Sequence, residues 1–465
     1  MAELLTGPWV ILGVGVATIV GLIVVLRANA FLALISAALV VSILAPGDPA
    51  QKTARVAEAF GAAAGSIGIV IALAAIIGRC MMDSGAADRV VRAFLRLMGQ
   101  NHGELAMMGS GYVLSVPVFF DTVFYLLLPL ARSMTRRTGR HYLLYLLAIA
   151  TGAAATHAMV PPTPGPLAMA SNLHLDLGLL MVVGLAAALP SSIAGLLVAR
   201  WLDRKLGIEY RPLPGVEEEP QPLSDDKLPS LWLSLLPILL PVLLIAGNTL
   251  ISMLATHGLQ LPQRVVGIAG LIGNPNFALL VSAIVALALV QIQRHPSRDA
   301  MARLVEESLM SGGVIILITA AGGAFGAMLR AANVGAGVEG LFGSRGASGG
   351  WSLLLLAAAM AAVFKTAQGS STVAMITTSA MIAAMLPSGF SLAFHPVYLA
   401  LMIASGSLIG SWMNDSGFWI FAKMGNLSES ETLKSWTVIS ATVGITGILV
   451  TLLLTVILPM APAAP

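Results

Sequence analysis

Runs of about twenty apolar residues recur along this chain, from residue 8 to residue 459. A run of that length is what an α-helix needs to cross the hydrocarbon core of a bilayer. Only 10% of the residues are charged and 57% are hydrophobic, against roughly 25% charged in a soluble domain. The sequence therefore predicts an all-α polytopic membrane protein with the lipid bilayer as its surroundings.

Charge placement and cysteine count exclude several other classes of protein. The arginines sit in short loops between apolar runs rather than on one face of a soluble domain, so we expect no nucleic-acid partner. The single cysteine, Cys80, excludes an intrachain disulfide and a cysteine-built metal site. The sequence has no Walker-type phosphate loop. We therefore expect neither an ATP-driven pump nor a bound cofactor or metal.

Two apolar stretches are too long for a simple span. Residues 105–131 would make a helix of about 40 Å, and arginines flank both ends. Because arginine clusters stay on the cytoplasmic side, this segment must enter the membrane, turn near Pro117 and return. We interpret it as a re-entrant helical hairpin with Asp121 at its tip. Residues 353–385, interrupted by polar residues at 365–372, predict a second hairpin that enters from outside.

Two other apolar helices are predicted to break inside the membrane. Residues 142–156 lead into a segment with four prolines within 161–166, which cannot continue a helix because proline removes a donor and restricts its predecessor. Residues 397–409 lead into the polar run 410–418, which contains Asn414 and Asp415. Each half of the chain thus carries one hairpin and one broken helix.

These elements predict two inverted-topology repeats, an arrangement typical of secondary transporters. Each repeat has three spans, a re-entrant hairpin, a broken helix and a final span, and both chain termini lie outside. The first repeat covers residues 1–202, a cytoplasmic linker covers 203–229, and the second repeat covers 230–465. The unbroken spans are predicted at residues 8–26, 31–45, 60–78, 177–199, 231–254, 265–292, 312–329 and 437–458.

The four breaks predict a binding site. Backbone freed from a helix at membrane depth is tolerated only where protein buries it or where it lines a wet cavity, so the breaks should converge. Helix N-termini there suit a carboxylate, and the neutral hydrogen-bonding side chains suit a polyhydroxylated anion. The predicted substrate-binding residues are Asp121, Thr122, His157, Thr163, Gln368, Ser370, Ser371, Thr372, Asn414, Asp415 and Ser416.

Four ionisable residues lie at membrane depth, where such groups are costly and usually functional. We predict that Asp121 and Asp415 couple transport to protons. The alternative for both is a structural role, bonded to a backbone end or paired with a cation. His157 either bonds a neighbouring carbonyl or acts directly, and Lys365 either pairs with a carboxylate or contacts substrate.

Several motifs resemble those of the gluconate permease (gluconate:proton symporter) family, within the ion-transporter superfamily. They are residues 116–121 (Val-Pro-Val-Phe-Phe-Asp), 160–166 (Val-Pro-Pro-Thr-Pro-Gly-Pro), 367–370 (Ala-Gln-Gly-Ser) and 414–419 (Asn-Asp-Ser-Gly-Phe-Trp). The resemblance implies a bacterial inner-membrane symporter of protons with gluconate or a related sugar acid, working as a homodimer by an elevator mechanism. Ser371 departs from the small alanine expected after this Gln-Gly-Ser, which would alter the preferred hydroxy acid.

Three alternatives stay open on the residues alone. A sodium-coupled carrier of a small organic anion or hydroxy amino acid would use backbone carbonyls at the same breaks. An intramembrane enzyme would use Asp121 and Asp415 as a catalytic pair, and a passive anion channel would use the same polar path. Inverted symmetry and hydroxyl-rich tips favour a transporter over an enzyme.

Overall fold

The structure, a computed structural model, describes residues 7–99, 102–139, 141–211, 228–256, 261–334, 348–386 and 392–460. Over these ranges the chain is helical and has no β-strand. The first half contains α1 (Pro8–Val20), α2 (Ala30–Leu44), α3 (Ala54–Asp83), α4 (Ala86–Met98), α5 (Gly103–Leu114), α6 (Phe120–Thr138), α7 (Tyr142–Met159), α8 (Pro164–Asn172) and α9 (Leu177–Leu206).

The second half contains α10 (Leu231–Thr256), α11 (Gln263–Ile272), α12 (Pro275–Arg294), α13 (Arg298–Ala331), α14 (Ser348–Gln368), α15 (Ser371–Met385), α16 (Val397–Gly406), α17 (Ser416–Met424) and α18 (Glu429–Ile457). Among the described residues, eight helices are long and apolar enough to cross a membrane. Outer helices expose large apolar side chains such as Trp232, Leu243 and Val456. The predicted class, an all-α polytopic membrane protein, is confirmed.

All four predicted interruptions are present. Residues 115–119 separate α5 from α6 around Pro117, and residues 369–370 separate α14 from α15. Residues 160–163 separate α7 from α8, and residues 407–415 separate α16 from α17. The opposite orientation of the two halves, and the side of the membrane on which each loop lies, stay predictions.

The predicted single span 265–292 is wrong. The chain forms α11 and α12 with a break at Gly273 and Asn274. Asn274 accepts a hydrogen bond from the amide of Asn276, and Pro275 occupies the first turn of α12; both are strong helix-start features. A Cβ at Gly273 would lie 2.3 Å from that of Asn248 on α10, so the break also permits close packing.

Other helix bounds also differ from the prediction. The arginines at 89, 92 and 96 lie between two apolar runs, which predicts a short loop. They belong instead to the amphipathic helix α4, which is joined to α3 through Gly85, whose φ is 80°. Helix α13 begins at Arg298 rather than at residue 312, and α18 begins at Glu429 rather than at residue 437. Ser297 and Ser428 cap these two helices, so each starts in the polar segment before its apolar run.

The linker predicted at 203–229 begins inside the last turn of α9, and residues 212–227 lie outside the described residues. Just before them, the guanidinium of Arg211 makes two hydrogen bonds, of 2.9 and 2.7 Å, to the carboxylate of Glu431. This pair attaches the start of the linker to the first turn of α18.

The broken helices form the centre of the fold. Every residue of α7 is buried except His157, and all of α16 is buried. Helix α7 packs against α5, α9 and α18, while α16 packs against α14 and α18. The freed backbone at the breaks is thus enclosed by protein, as the bilayer requires.

Candidate functional site

Four helix N-termini lie at the wall of one cavity of about 480 Å³, here named the central cavity. Helices α6, α8, α15 and α17 begin there, at the four breaks, and contribute Asp121, Pro164, Thr372 and Ser416. The helix dipole places partial positive charge at each N-terminus, and one amide at the start of α6, α15 and α17 is bonded to the side chain of Asp121, Ser370 and Asp415, respectively. The four breaks therefore converge on a site whose backbone favours an anion.

The first hairpin tip places a carboxylate in this wall. The backbone at Phe119 is extended, α6 begins at Phe120, and Asp121 falls in its first turn. The half-buried Asp121 accepts a 2.9 Å hydrogen bond from the amide of Thr122. No described residue forms an ion pair with Asp121, so its carboxylate faces the cavity without a counter-charge.

The first broken helix is held by Thr163 and exposes His157. The single hydroxyl proton of the buried Thr163 is shared between the carbonyls of His157 (2.9 Å) and Val160 (2.6 Å), which have lost their helical partners. His157 lines the central cavity, with its ring edge-on to Phe119 at 6.2 Å. Its Nδ1 atom is buried and has no hydrogen-bond partner in the described structure.

The second hairpin and the second broken helix are joined by a buried ion pair. The Nζ atom of Lys365 lies 2.9 Å from Oδ2 of Asp415 and donates a 2.6 Å hydrogen bond to the carbonyl of Gly369. Asp415 caps α17 by accepting from the amide of Gly417 at 3.0 Å. A purely structural role for Asp415 is the alternative to proton coupling, and it requires a bond to a helix end or a pair with a cation. Asp415 makes both contacts.

Further hydrogen bonds extend this pair. The hydroxyl of Ser411 donates to Oδ2 of Asp415, and the indole N–H of Trp436 donates to the Ser411 oxygen at 2.6 Å. Lys365, Asp415 and Trp436 line a smaller cavity of about 120 Å³, which shares His157 and Ser416 with the central cavity. The ion pair therefore lies directly behind the central cavity.

The remaining predicted residues divide between wall and support. Ser370 lines both cavities, and Ser371 lines the smaller one while donating at 2.8 Å to the carbonyl of Ser407. Gln368 donates at 3.1 Å to the carbonyl of Ser370, and Asn414 donates at 2.7 Å to that of Thr366. The side-chain amides of Gln368 and Asn414 thus support the backbone at the breaks.

A third cavity, of about 320 Å³, adjoins the central one and is here named the side cavity. Thr122 lines it, while Phe119 and Ser311 line both it and the central cavity. At its edge the guanidinium of Arg79 lies 3.0 Å from Asp83 and 3.2 Å from Glu307. Phe119 and Ser311 therefore form the partition between the two cavities.

Sequence reasoning missed the wall that α13 provides. Ser311, Val314, Ile315 and Ile318 line the central cavity from this helix. They lie in or beside a continuous apolar run, which carries no break or charge to mark a site. The only sequence feature that marks this wall is Ser311 followed by Gly312, and a single serine beside a glycine is weak evidence of a binding site.

An apolar exterior around a cavity built from interrupted helices, with polar and apolar side chains in its wall, is typical of membrane transporters. The chain belongs to the GntP family of permeases, whose family model matches residues 8–457. It is 32% identical over 450 residues to the gluconate permease of Pseudomonas aeruginosa, covering 95% of this chain and 96% of that protein. It is 30% identical over 427 residues to the low-affinity gluconate transporter of Escherichia coli K12, covering 91% and 93%.

The fold is also similar to that of a solved transporter. The YdaH transporter of Alcanivorax borkumensis superimposes with a TM-score of 0.64, covering 93% of this chain and 98% of the other. Sequence identity over this match is 15%, so the likeness concerns the fold alone.

Proposed function

We propose that this protein carries gluconate, or a related C4–C6 hydroxy-carboxylate, into the bacterial cytoplasm together with a proton. The observation that carries this proposal is the convergence of four helix N-termini and the Asp121 carboxylate on the central cavity. The relatives named as gluconate carriers support the same substrate class.

The wall chemistry suits a sugar acid. Partial positive charge from the helix N-termini stabilises a carboxylate, while hydroxyls of Ser311, Ser370, Thr372 and Ser416 offer donors and acceptors to substrate hydroxyls. A cavity of about 480 Å³ is within the usual range for small-molecule sites. The apolar side chains of α13 would cover the carbon chain.

We infer proton coupling from the position of Asp121 at the central cavity. Its carboxylate shares a wall with the proposed anion site, and two like charges about 4 Å apart repel by about 4 kcal/mol at an effective dielectric constant of 20. Protonation removes this repulsion, so substrate and proton bind together more readily than either alone. That mutual preference is what symport requires.

We further infer an elevator movement. The two hairpins and the two broken helices supply most of the site, while α13, which packs against α2 and α3, supplies the opposite wall. Displacement of the first group past α13 would carry the cavity from one side to the other. Inverted repeats at 1–202 and 230–465, termini outside and a homodimer belong to this proposal.

Transport by purified protein tests it. In proteoliposomes without sodium, an inward proton gradient should drive gluconate accumulation, and a protonophore should abolish it. Thermal stabilisation by a panel of sugar acids gives the preferred substrate, because a ligand that binds the native state raises apparent stability. Accumulation that requires sodium, or no stabilisation by any hydroxy-carboxylate, would contradict the proposal.

A further inference from the structure

We propose that the ammonium group of Lys365 is a tethered cation that fills an alkali-metal-type site between the second hairpin and the second broken helix. The oxygen atoms around Nζ are the Gly369 carbonyl at 2.6 Å and Oδ2 of Asp415 at 2.9 Å. This residue would take the place that a freely exchanging sodium ion occupies in a sodium-coupled carrier.

The surroundings of Nζ are those of a cation site. Carbonyl oxygens freed at a helix break, together with the negative end of a half-helix, are the groups that hold sodium ions in transporters. Lys365 lies in the last turn of α14, so its charge sits at that negative end. Lys365 and Asp415 are both buried, which fixes the ammonium beside the carboxylate and away from bulk water.

The same contacts fix the two breaks to each other. Gly369 has φ of 88°, and a Cβ there would lie 2.0 Å from the carbonyl oxygen of Asn414, so the two backbones touch. The Lys365 ammonium joins the Gly369 carbonyl of the hairpin to the Asp415 carboxylate of the broken helix. Ser370 and Ser416, one residue further along each segment, line the central cavity. A cation at this position therefore orders two walls of the proposed substrate site.

Two consequences follow. The parent protein should need no sodium ion at this site, because a covalently attached cation already neutralises Asp415. Removal of the ammonium should leave an uncompensated buried carboxylate beside a carbonyl, which a sodium ion can then neutralise. The inference rests on the proposed function only where it treats the adjacent central cavity as the substrate site.

Thermal unfolding of the purified full-length protein tests this without any transport. Lys365→Ala is compared with the parent in sodium chloride and in choline chloride at equal ionic strength. The melting temperature of the parent should be the same in both salts. That of Lys365→Ala should be lower, and sodium should raise it by several degrees in a saturable manner.

Two control variants isolate the site. Lys423→Ala removes an exposed lysine that lies over the Trp419 ring, and its melting temperature should not depend on sodium. Lys365→Ala combined with Asp415→Asn removes the carboxylate as well, so the sodium effect should disappear.

Several results would overturn the inference. They are a Lys365→Ala protein that melts equally in both salts, one that yields folded protein in neither salt, and a parent whose melting temperature rises specifically with sodium. None of these outcomes depends on whether gluconate is the substrate. A failure of gluconate binding would conversely leave the cation result standing.

Discussion

The two halves of the molecule each place a carboxylate at the start of a helix in the site, yet the surroundings differ. Asp121 is half-buried, faces the central cavity and has no ion-pair partner in the described structure. Asp415 is buried, caps α17 and pairs with Lys365. Asp121, at a hairpin tip, thus faces the cavity with no ion pair among the described residues, whereas Asp415, in a broken helix, is held in a buried pair.

The difference originates in the first helix of each hairpin, which is α5 in the first half and α14 in the second. Helix α14 carries Lys365 in its last turn, four residues before Gly369. The corresponding end of α5, residues 111–114, has no charged side chain. One cationic residue therefore decides which carboxylate is paired inside the protein and which faces the cavity with no ion pair among the described residues.

The largest expected effect is on proton coupling. Asp121→Asn mimics the permanently protonated state, so it should still bind gluconate and exchange it across the membrane. Accumulation driven by a pH gradient should be lost, as measured by uptake into proteoliposomes with and without the gradient.

Asp415→Asn is the matched control in the other half. If this variant alone loses pH-driven accumulation, the coupling role belongs to the second half and the comparison is reversed. If both variants retain it, His157 becomes the next candidate, because its Nδ1 has no hydrogen-bond partner among the described residues.

Stability should show the opposite ranking of the two carboxylates. Asp415→Ala leaves the Lys365 ammonium buried without its counter-charge, which typically costs about 3–5 kcal/mol. Asp121→Ala removes a half-buried group with no ion pair and should cost less than about 1 kcal/mol. Denaturant unfolding in detergent measures both, and equal losses would remove the structural distinction between the halves.

Substrate affinity should separate wall residues from supporting residues. Ser416→Ala removes a hydroxyl from the cavity wall and should weaken gluconate binding by about 1–3 kcal/mol, roughly 5- to 150-fold. Asn414→Ala removes a bond to the Thr366 carbonyl away from the cavity, so the expected loss of affinity is smaller. Isothermal titration calorimetry measures the gluconate affinity of both variants. A larger loss of affinity in Asn414→Ala than in Ser416→Ala would mean that the substrate does not bind in the central cavity.

The least disruptive test concerns the orientation of the two hairpins. Exposed positions Leu97, Arg136 and Trp351 are changed singly to cysteine in a Cys80→Ala background. The inverted repeat predicts labelling of Leu97→Cys and Arg136→Cys only from the cytoplasmic side, and of Trp351→Cys from outside. Opposite accessibility of the first two positions would rule out the first re-entrant hairpin.

Much of the architecture was readable from local chemistry. The lengths of the apolar runs, the prolines at 117 and 161–166 and the polar residues at 365–372 and 410–418 located all four breaks. Proline and membrane-depth polar groups act through their own backbone and immediate neighbours, so their consequences are visible in sequence. The break at Gly273 also has a local signal, Asn274 followed by Pro275, which the long apolar run around it masked. The close approach of Gly273 to Asn248 comes from another helix and is not visible in the sequence.

The sequence by itself determined the membrane class, the interrupted helices and a short set of candidate site residues. Only the tertiary structure decided which of those residues line the cavity and which are paired with each other. Lys365 and Asp415 are fifty residues apart, and the sequence around Lys365 does not indicate whether it pairs with Asp121 or with Asp415. Packing of the second hairpin against the second broken helix made that choice, because a buried charge is stable only beside the partner that the fold brings to it.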